Sequence, residues 1–185
     1  MNKIFYPLLL TLLVTVWASA QPIGKTLPDF TLQSLSNQKV TLSELRGPSG
    51  VLVMTFWCSE CGSCRASEPT LAKLSKEFAG KARVVVVASS KNDTPQTVQA
   101  YLDKHHPEFE VLMDPDSRLA HHLGVSTTTT TVILDQGGRV RYYGTLVRGK
   151  RQYAREPLKE VLAKKIVSHP RGPIFGCPLS LSPNV

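Results

Sequence analysis

The stretch Val51-Leu-Val-Met-Thr-Phe-Trp57-Cys58-Ser-Glu-Cys61-Gly-Ser-Cys64-Arg-Ala-Ser-Glu-Pro69 decides the fold. From Val51 to Trp57 it is a continuous apolar run in which Thr55 is the only polar side chain. Such a run suits a strand buried on both faces, at the centre of a parallel sheet. It ends at three cysteines. From Gly62 to Phe78 the pattern turns helical, with Leu71, Leu74 and Phe78 on one face and Gly80 as the stop. Pro69 inside that helix predicts a kink. A buried strand therefore feeds a helix, and the cysteines stand at the junction.

Spacing decides which cysteines can pair. A disulfide needs α-carbons roughly 4.4–6.8 Å apart. Residues three apart on the first turn of a helix meet that, whereas along a strand they lie about 10 Å apart. Cys61 and Cys64 flank the expected helix start and can pair; Cys58 and Cys61 straddle a strand end and would need a tight turn between them. The catalytic pair read from this is Cys61-Gly62-Ser63-Cys64. The thiolate is the nucleophile, and a free cysteine titrating near 8.5 is only about 3% ionised at pH 7. Unpaired N–H groups and the positive dipole end at a helix start favour the anion. Cys61 is expected to be the exposed attacker and Cys64, one turn inside, the shielded resolver. Arg65 adds positive potential, and Glu60 opposes it. In this scheme Cys61 attacks a substrate disulfide and Cys64 then displaces the reduced substrate. The direction of exchange depends on the reduction potential.

Working outward, Phe30 to Leu35 reads as an opening strand with Ser36-Asn37-Gln38 as its turn, and Val40 and Leu42 lead into a short helical turn stopped by Gly47 and Pro48. Ala82 to Ala88 is a second buried strand. Thr94-Pro95 starts a helix to about His105, with Thr94 as cap and Pro95 at the first position. Phe109 to Met113 is a short strand, and Asp116 to Leu123 a short helix closed by Gly124. Thr127 to Leu134 and Arg139 to Leu146 are strands joined by the hairpin signal Asp135-Gln-Gly-Gly138. Leu158, Val161, Leu162 and Ile166 make one face of a last helix. The Tyr142-Tyr143 pair reads as sheet packing. Strands alternating with helices imply an α/β fold around a mixed sheet.

The ends carry different information. Residues 1–20 read as a signal peptide: Lys3, an apolar run from Ile4 to Trp17, then Ala18-Ser19-Ala20. The run is shorter than the roughly 20 residues of a membrane span, and Pro7 interrupts it, so cleavage after Ala20 is expected. A membrane enters only if the segment stays uncleaved. Gln21 to Val185 is long enough for one well-buried core, read as a domain over residues 21–167 and a proline-rich tail over 168–185 carrying Cys177. The whole chain has a formal charge of +8, read as solubility, since no stretch interleaves basic and aromatic residues as a nucleic-acid groove would. Four cysteines in an exported chain usually count as two structural disulfides. Three of them within seven residues indicate a reactive cluster instead.

At the cysteines the sequence resembles the thioredoxin superfamily, in its exported TlpA-like and ResA-like (AhpC/TSA-redoxin) branch. Phe56-Trp57 and Cys61-Gly-Ser-Cys64-Arg65, with Pro69 five residues after the second cysteine, are similar to that branch's F-W-x-x-W-C-x-x-C-[KR]-x-x-x-P. The likeness extends from about Leu27 to Leu162. It implies a thioredoxin-like fold, a mixed central β-sheet flanked by helices with an N-terminal β extension and a central α/β insertion. It also implies a periplasmic thiol–disulfide oxidoreductase with a protein thiol or disulfide as substrate, an upstream redox partner, and no cofactor or metal beyond its own Cys61–Cys64 disulfide. Departures stand out. The family's cis-proline aligns with Thr129, where a cis bond would cost roughly 2.5–4 kcal/mol, so a trans peptide is expected. The tryptophan before the first cysteine is Glu60, and the acid beneath the cysteines aligns with Thr55. Glu68 is one position from a glutamate of ResA-like proteins. Trp57, Thr128 and Thr129 are expected to frame the substrate groove.

Other readings of these residues stay open. Cys58 is a small side chain at a strand end or a third redox thiol. Cys177 is a tether to Cys58 or a thiol exchanging with the active site. His105-His106 and His121-His122 read as helix ends, lacking the spacing of metal ligands. Thr55-Phe-Trp-Cys58 resembles the T-x-x-C of peroxiredoxins, which would make Cys58 a peroxidatic residue. Cys58, Cys61 and Cys64, with Cys177 or a histidine, form a donor set for a soft metal such as Zn²⁺ or Cu⁺.

Overall fold

The computed structural model describes residues 22–46 and 49–183; the signal segment and the Gly47-Pro48 stop lie outside them. Among the described residues nine strands and five helices follow one another: β1 (Thr31–Gln33), β2 (Lys39–Thr41), α1 (Leu42–Arg46), β3 (Leu52–Trp57), α2 (Gly62–Glu77), β4 (Arg83–Ala88), α3 (Pro95–His105), β5 (Glu110–Met113), α4 (Arg118–Leu123), β6 (Thr130–Leu134), β7 (Val140–Thr145), β8 (Val147–Arg148), β9 (Arg151–Gln152) and α5 (Arg155–Leu162). Seven strands form one sheet in the order β2-β1-β5-β4-β3-β6-β7. Its centre is parallel, β3 beside β4 and β4 beside β5, while β6 and β7 are antiparallel additions. The β1–β2 hairpin joins at Gln33 opposite Met113. This is the mixed, helix-flanked sheet with an N-terminal β extension that the sequence implies.

All six residues of β3 are buried, because both faces of the sheet are covered. Val53 and Trp57 point into one core with Leu71 and Leu74 of α2, Val98 and Tyr101 of α3, and Leu158 and Val161 of α5. Leu52, Met54 and Phe56 point into the other with Leu42 and Leu45 of α1 and Leu119 and Leu123 of α4. Alternation along a strand thus feeds two cores from one apolar run. At α3 the sequence signals are met in full: Thr94 caps through its hydroxyl, Thr97 completes the capping box, and Pro95 opens the helix. Helix α2 continues through Pro69.

The structure adds to or departs from the sequence reading in three places. Helix α5 stops at Leu162 rather than reaching Ile166, which is 89% exposed. Lys164 takes a left-handed conformation, its amide donating to Val161 O and that of Lys165 to Glu160 O, which closes the helix as a Schellman turn without glycine. Basic residues after Val147 form the small β8–β9 hairpin, which lacks an apolar period. The tail is docked throughout its described length. Its amide and carbonyl groups extend the sheet past β7: Tyr143 N donates to Pro170 O, Gly172 N to Tyr143 O and Thr145 N to Pro173 O, at 2.8–3.0 Å. Close approach requires glycine there, since a Cβ on Gly172 would strike the Tyr142 hydroxyl.

Candidate active site

Strand β3 delivers the chain to the cysteines, and a turn then starts α2. Cys61 N donates to Cys58 O (3.3 Å), forming the tight turn between the first two cysteines. Asp93, ahead of α3, fixes that turn by accepting from Ser59 N (3.0 Å) and Ser59 Oγ (2.6 Å) through one carboxylate oxygen. Its other oxygen is buried and unpartnered among the described residues, and burial raises its pKa. Nothing in the sequence singled out Asp93; only the neighbouring cap Thr94 carried a local signal.

Cys61 is the N-cap of α2, and its sulfur accepts from the Cys64 amide at 3.4 Å. Two side chains complete its surroundings. Thr128 Oγ1 lies 3.1 Å away and Cys177 Sγ 2.9 Å away. Burial pushes the Cys61 thiol up, but donation to the thiolate from Cys177, Thr128 and the Cys64 amide outweighs it and brings the pKa down to about 7. Side-chain hydrogen bonds therefore add to the expected contribution of the helix start, while the Arg65 guanidinium lies over the Tyr101 ring at 5.8 Å. Cys64 is buried and its pKa is raised, first by its hydrogen bond with Cys58 and then by burial. The sulfurs of Cys58, Cys61 and Cys64 lie within 4.8 Å of one another. One thiol is thus poised to ionise near pH 7, with a protonated one beside it.

The expected exposure of Cys61 is corrected: only 5% of it is accessible. The cover is the tail. Thr128 N donates to Cys177 O (2.8 Å), Cys177 N to Thr128 Oγ1 (2.8 Å) and Leu179 N to Ser126 O (2.9 Å), with Thr127 opposite Pro178 in an antiparallel bridge. Thr128 and Thr129 are accordingly buried beneath residues 175–178. Thr129, at a trans peptide, has φ 58°, a left-handed conformation unusual for a β-branched residue. It is held there by its amide donating to Phe56 O (2.7 Å) and by its hydroxyl contacts with Phe175 O and Thr145. Trp57 does not reach the groove. It is 1% exposed, packs edge-on against Tyr101 and donates to Glu68 Oε1 at 3.3 Å, because β3 buries both its faces. Glu68 also accepts from the Tyr101 hydroxyl at 2.7 Å.

Other candidates find structural places. Cys177 meets Cys61 and, at 3.9 Å, Ser63, not Cys58. Thr55 shares its hydroxyl with Thr131 at 2.9 Å. His105 stacks on Tyr101, His106 ends α3, His122 packs on Phe30, and His121 meets Ser182 O at 2.7 Å, fastening the tail. Tyr142 and Tyr143 are buried in the sheet, their hydroxyls on Thr145 O and Gly124 O. A cleft of about 310 Å³ remains beside Gly62 and Ser63, bordered by Arg148 and Phe175.

Comparison with known proteins agrees with this geometry. A thioredoxin-like protein of Bacillus subtilis, YneN, is 33% identical over 128 residues, covering 68% of this chain and 74% of its own. A thiol:disulfide interchange protein DsbE homolog of Paracoccus denitrificans is 33% identical over 129 residues, 68% of this chain and 69% of the relative. Among solved structures, a putative thiol:disulfide interchange protein DsbE from Chlorobium tepidum superposes with a TM-score of 0.62 at 27% identity, covering 78% of this chain and 98% of that one. A hypothetical protein from Sinorhizobium meliloti gives a TM-score of 0.77 over 88% and 96%, a likeness of fold at 24% identity. The AhpC/TSA family model matches residues 23–143. The chain belongs to the AhpC/TSA family, in its thioredoxin-like thiol–disulfide oxidoreductase branch.

Proposed function

We propose that the protein is exported to the periplasm and exchanges disulfides with a protein partner through Cys61 and Cys64. The observation that carries this is the Cys61 sulfur at the N-cap of α2, with a pKa of about 7 and a buried, protonated Cys64 beside it. The Cys61 thiolate attacks a disulfide sulfur of the partner, and one partner sulfur leaves as thiolate. Cys64, on giving up its proton, attacks Cys61, closes the intrachain bond and releases the second partner thiol. Two electrons pass to the partner, and running the steps backwards oxidises it. Export rests on the signal-like residues 1–20. Turnover of a disulfide-bonded test protein under a dithiol reductant is expected to vanish in Cys61→Ala, and Cys64→Ser/Cys177→Ser is expected to accumulate the mixed disulfide. Parent-rate turnover by Cys61→Ala would overturn the reading.

The three-sulfur cluster favours a second reading, capture of a soft ion such as Cu⁺ or Zn²⁺ by Cys58, Cys61 and Cys64. Reduced protein titrated with Zn²⁺ or Cu⁺ against a chelator of known affinity is expected to bind one ion, lost in Cys58→Ser; no binding below micromolar concentrations would exclude it. The peroxidase reading has no comparable support, because the Thr55 hydroxyl it needs beside Cys58 is spent on Thr131.

A further inference from the structure

The tail lies across the active site as a substrate peptide would. Residues 177–179 pair through the backbone with 126–128, and Cys177 meets the attacking sulfur. Four independent contacts set this position. Gly176 passes so close to the Thr128 carbonyl that a Cβ would collide with it. Thr128 takes the Cys177 amide on its hydroxyl oxygen while its O–H faces Cys61. Leu179 is buried in the second core, and Arg148 lies over the Phe175 ring at 4.9 Å. On either side the chain is fixed to β7 and, through Ser182, to Ser117 and His121. A disulfide would require the two sulfurs to close by about 0.9 Å, to roughly 2.05 Å.

The geometry points to Cys177 as a third redox-active thiol, presented to Cys61 by the chain's own tail acting as an internal substrate. This rests on the Cys61–Cys64 reading and extends it. Starting from the oxidised pair, Cys177 loses its proton and its sulfur attacks Cys61. The Cys61–Cys64 bond breaks as the Cys61–Cys177 bond forms, and the proton ends on Cys64, where burial and Cys58 favour the thiol. One disulfide is exchanged for another, so no external oxidant is consumed. The largest influence raising the Cys177 pKa is its hydrogen bond to Cys61, which disappears once Cys61 is in a disulfide. The product covalently latches the tail over the groove, and an incoming partner must displace it.

Trypsin separates the two sides of the proposed bond. Peptide 47–65 holds Cys58, Cys61 and Cys64, and peptide 172–185 holds Cys177. The mature full-length chain, equilibrated across a glutathione series, quenched with N-ethylmaleimide and digested without reductant, is expected to yield the linked pair alongside the internally bridged 47–65. In the Cys58→Ser/Cys64→Ser variant the linked pair is expected to be the main oxidised species. Gly176→Ala, which retains every cysteine, is expected to lower it at least tenfold. The proposal is overturned if Cys177 stays alkylated and Cys61 carries glutathione in the double variant, or if Gly176→Ala leaves the linked pair unchanged. Turnover of the disulfide test protein, measured in parallel, separates the two readings. Parent-rate turnover by Cys61→Ala fails the oxidoreductase reading while the linked peptide can still form; absence of the linked peptide with normal Cys61-dependent turnover fails only this one.

Discussion

At the scale of single residues, the Cys61 thiolate is stabilised by Cys177 and Thr128 as well as by the helix start. Thr128→Val keeps the shape and removes the hydroxyl that faces Cys61, and with it the acceptor of the Cys177 amide. Alkylation of reduced protein by iodoacetamide is expected to titrate at Cys61 with a midpoint of about 7, moving upward in Thr128→Val. A rise of one pH unit would cut the thiolate fraction at pH 7 from about half to about a tenth, a roughly fivefold loss of rate. The linked stability has a definite sign. The folded pKa lies below that of a free cysteine, near 8.5, so between about 7 and 8.5 the folded state binds fewer protons than the unfolded one. Stability of the reduced protein from this group therefore grows with pH across that window and is lost as pH falls through 7. Denaturant unfolding at pH 6, 7, 8 and 9 is expected to show this gain in the parent and a smaller one in Thr128→Val; equal slopes would contradict it.

At the scale of elements, the strand-to-helix junction was legible because its signals are local. An apolar run, a helix period, a cysteine at the cap position and a proline each act within one turn, and β3, α2 and α3 follow them closely. The tail was not legible, since its order comes from backbone pairing with β7 and with residues 126–128, which leaves no side-chain period. Trp57 was misplaced for a related reason. The alternation of β3 aims it under α2, towards Tyr101, although its sequence position adjoins the cysteines. Thr129 joins the two classes of information: the sequence marks it as replacing a proline, and only the structure shows the left-handed φ of 58°. Restoring the proline is therefore not neutral. Proline fixes φ near −65° and has no N–H to give Phe56 O. Thr129→Pro is expected to cost about 3 kcal/mol or more in denaturant unfolding and to speed amide exchange at Thr128 and Cys177. Unchanged exchange there would mean that the left-handed turn does not hold the tail.

At the scale of the whole molecule, the sheet and the active site share one closing element. Residues 170–173 cover the β7 edge, and residues 175–179 cover Cys61, so whatever lifts the tail opens an unpaired strand edge and the Cys61 sulfur together. A tethered segment competes with an external peptide at an effective concentration that reaches millimolar for short linkers. The intact chain should therefore meet its partner more slowly than its thiolate content allows. Ending the chain after Ser168 is expected to raise kcat/KM towards a disulfide-bonded peptide about tenfold, and to lower stability because the Tyr143 and Thr145 amides lose their partners. Cys177→Ser separates the two effects: a serine can still dock and donate towards Cys61, so its tail should go on obstructing the groove while forming no latch. A truncated chain that turned over no faster than the parent, with Cys61 as reactive as predicted, would show that the partner approaches by the open cleft beside Gly62 and Ser63 and leaves the tail in place.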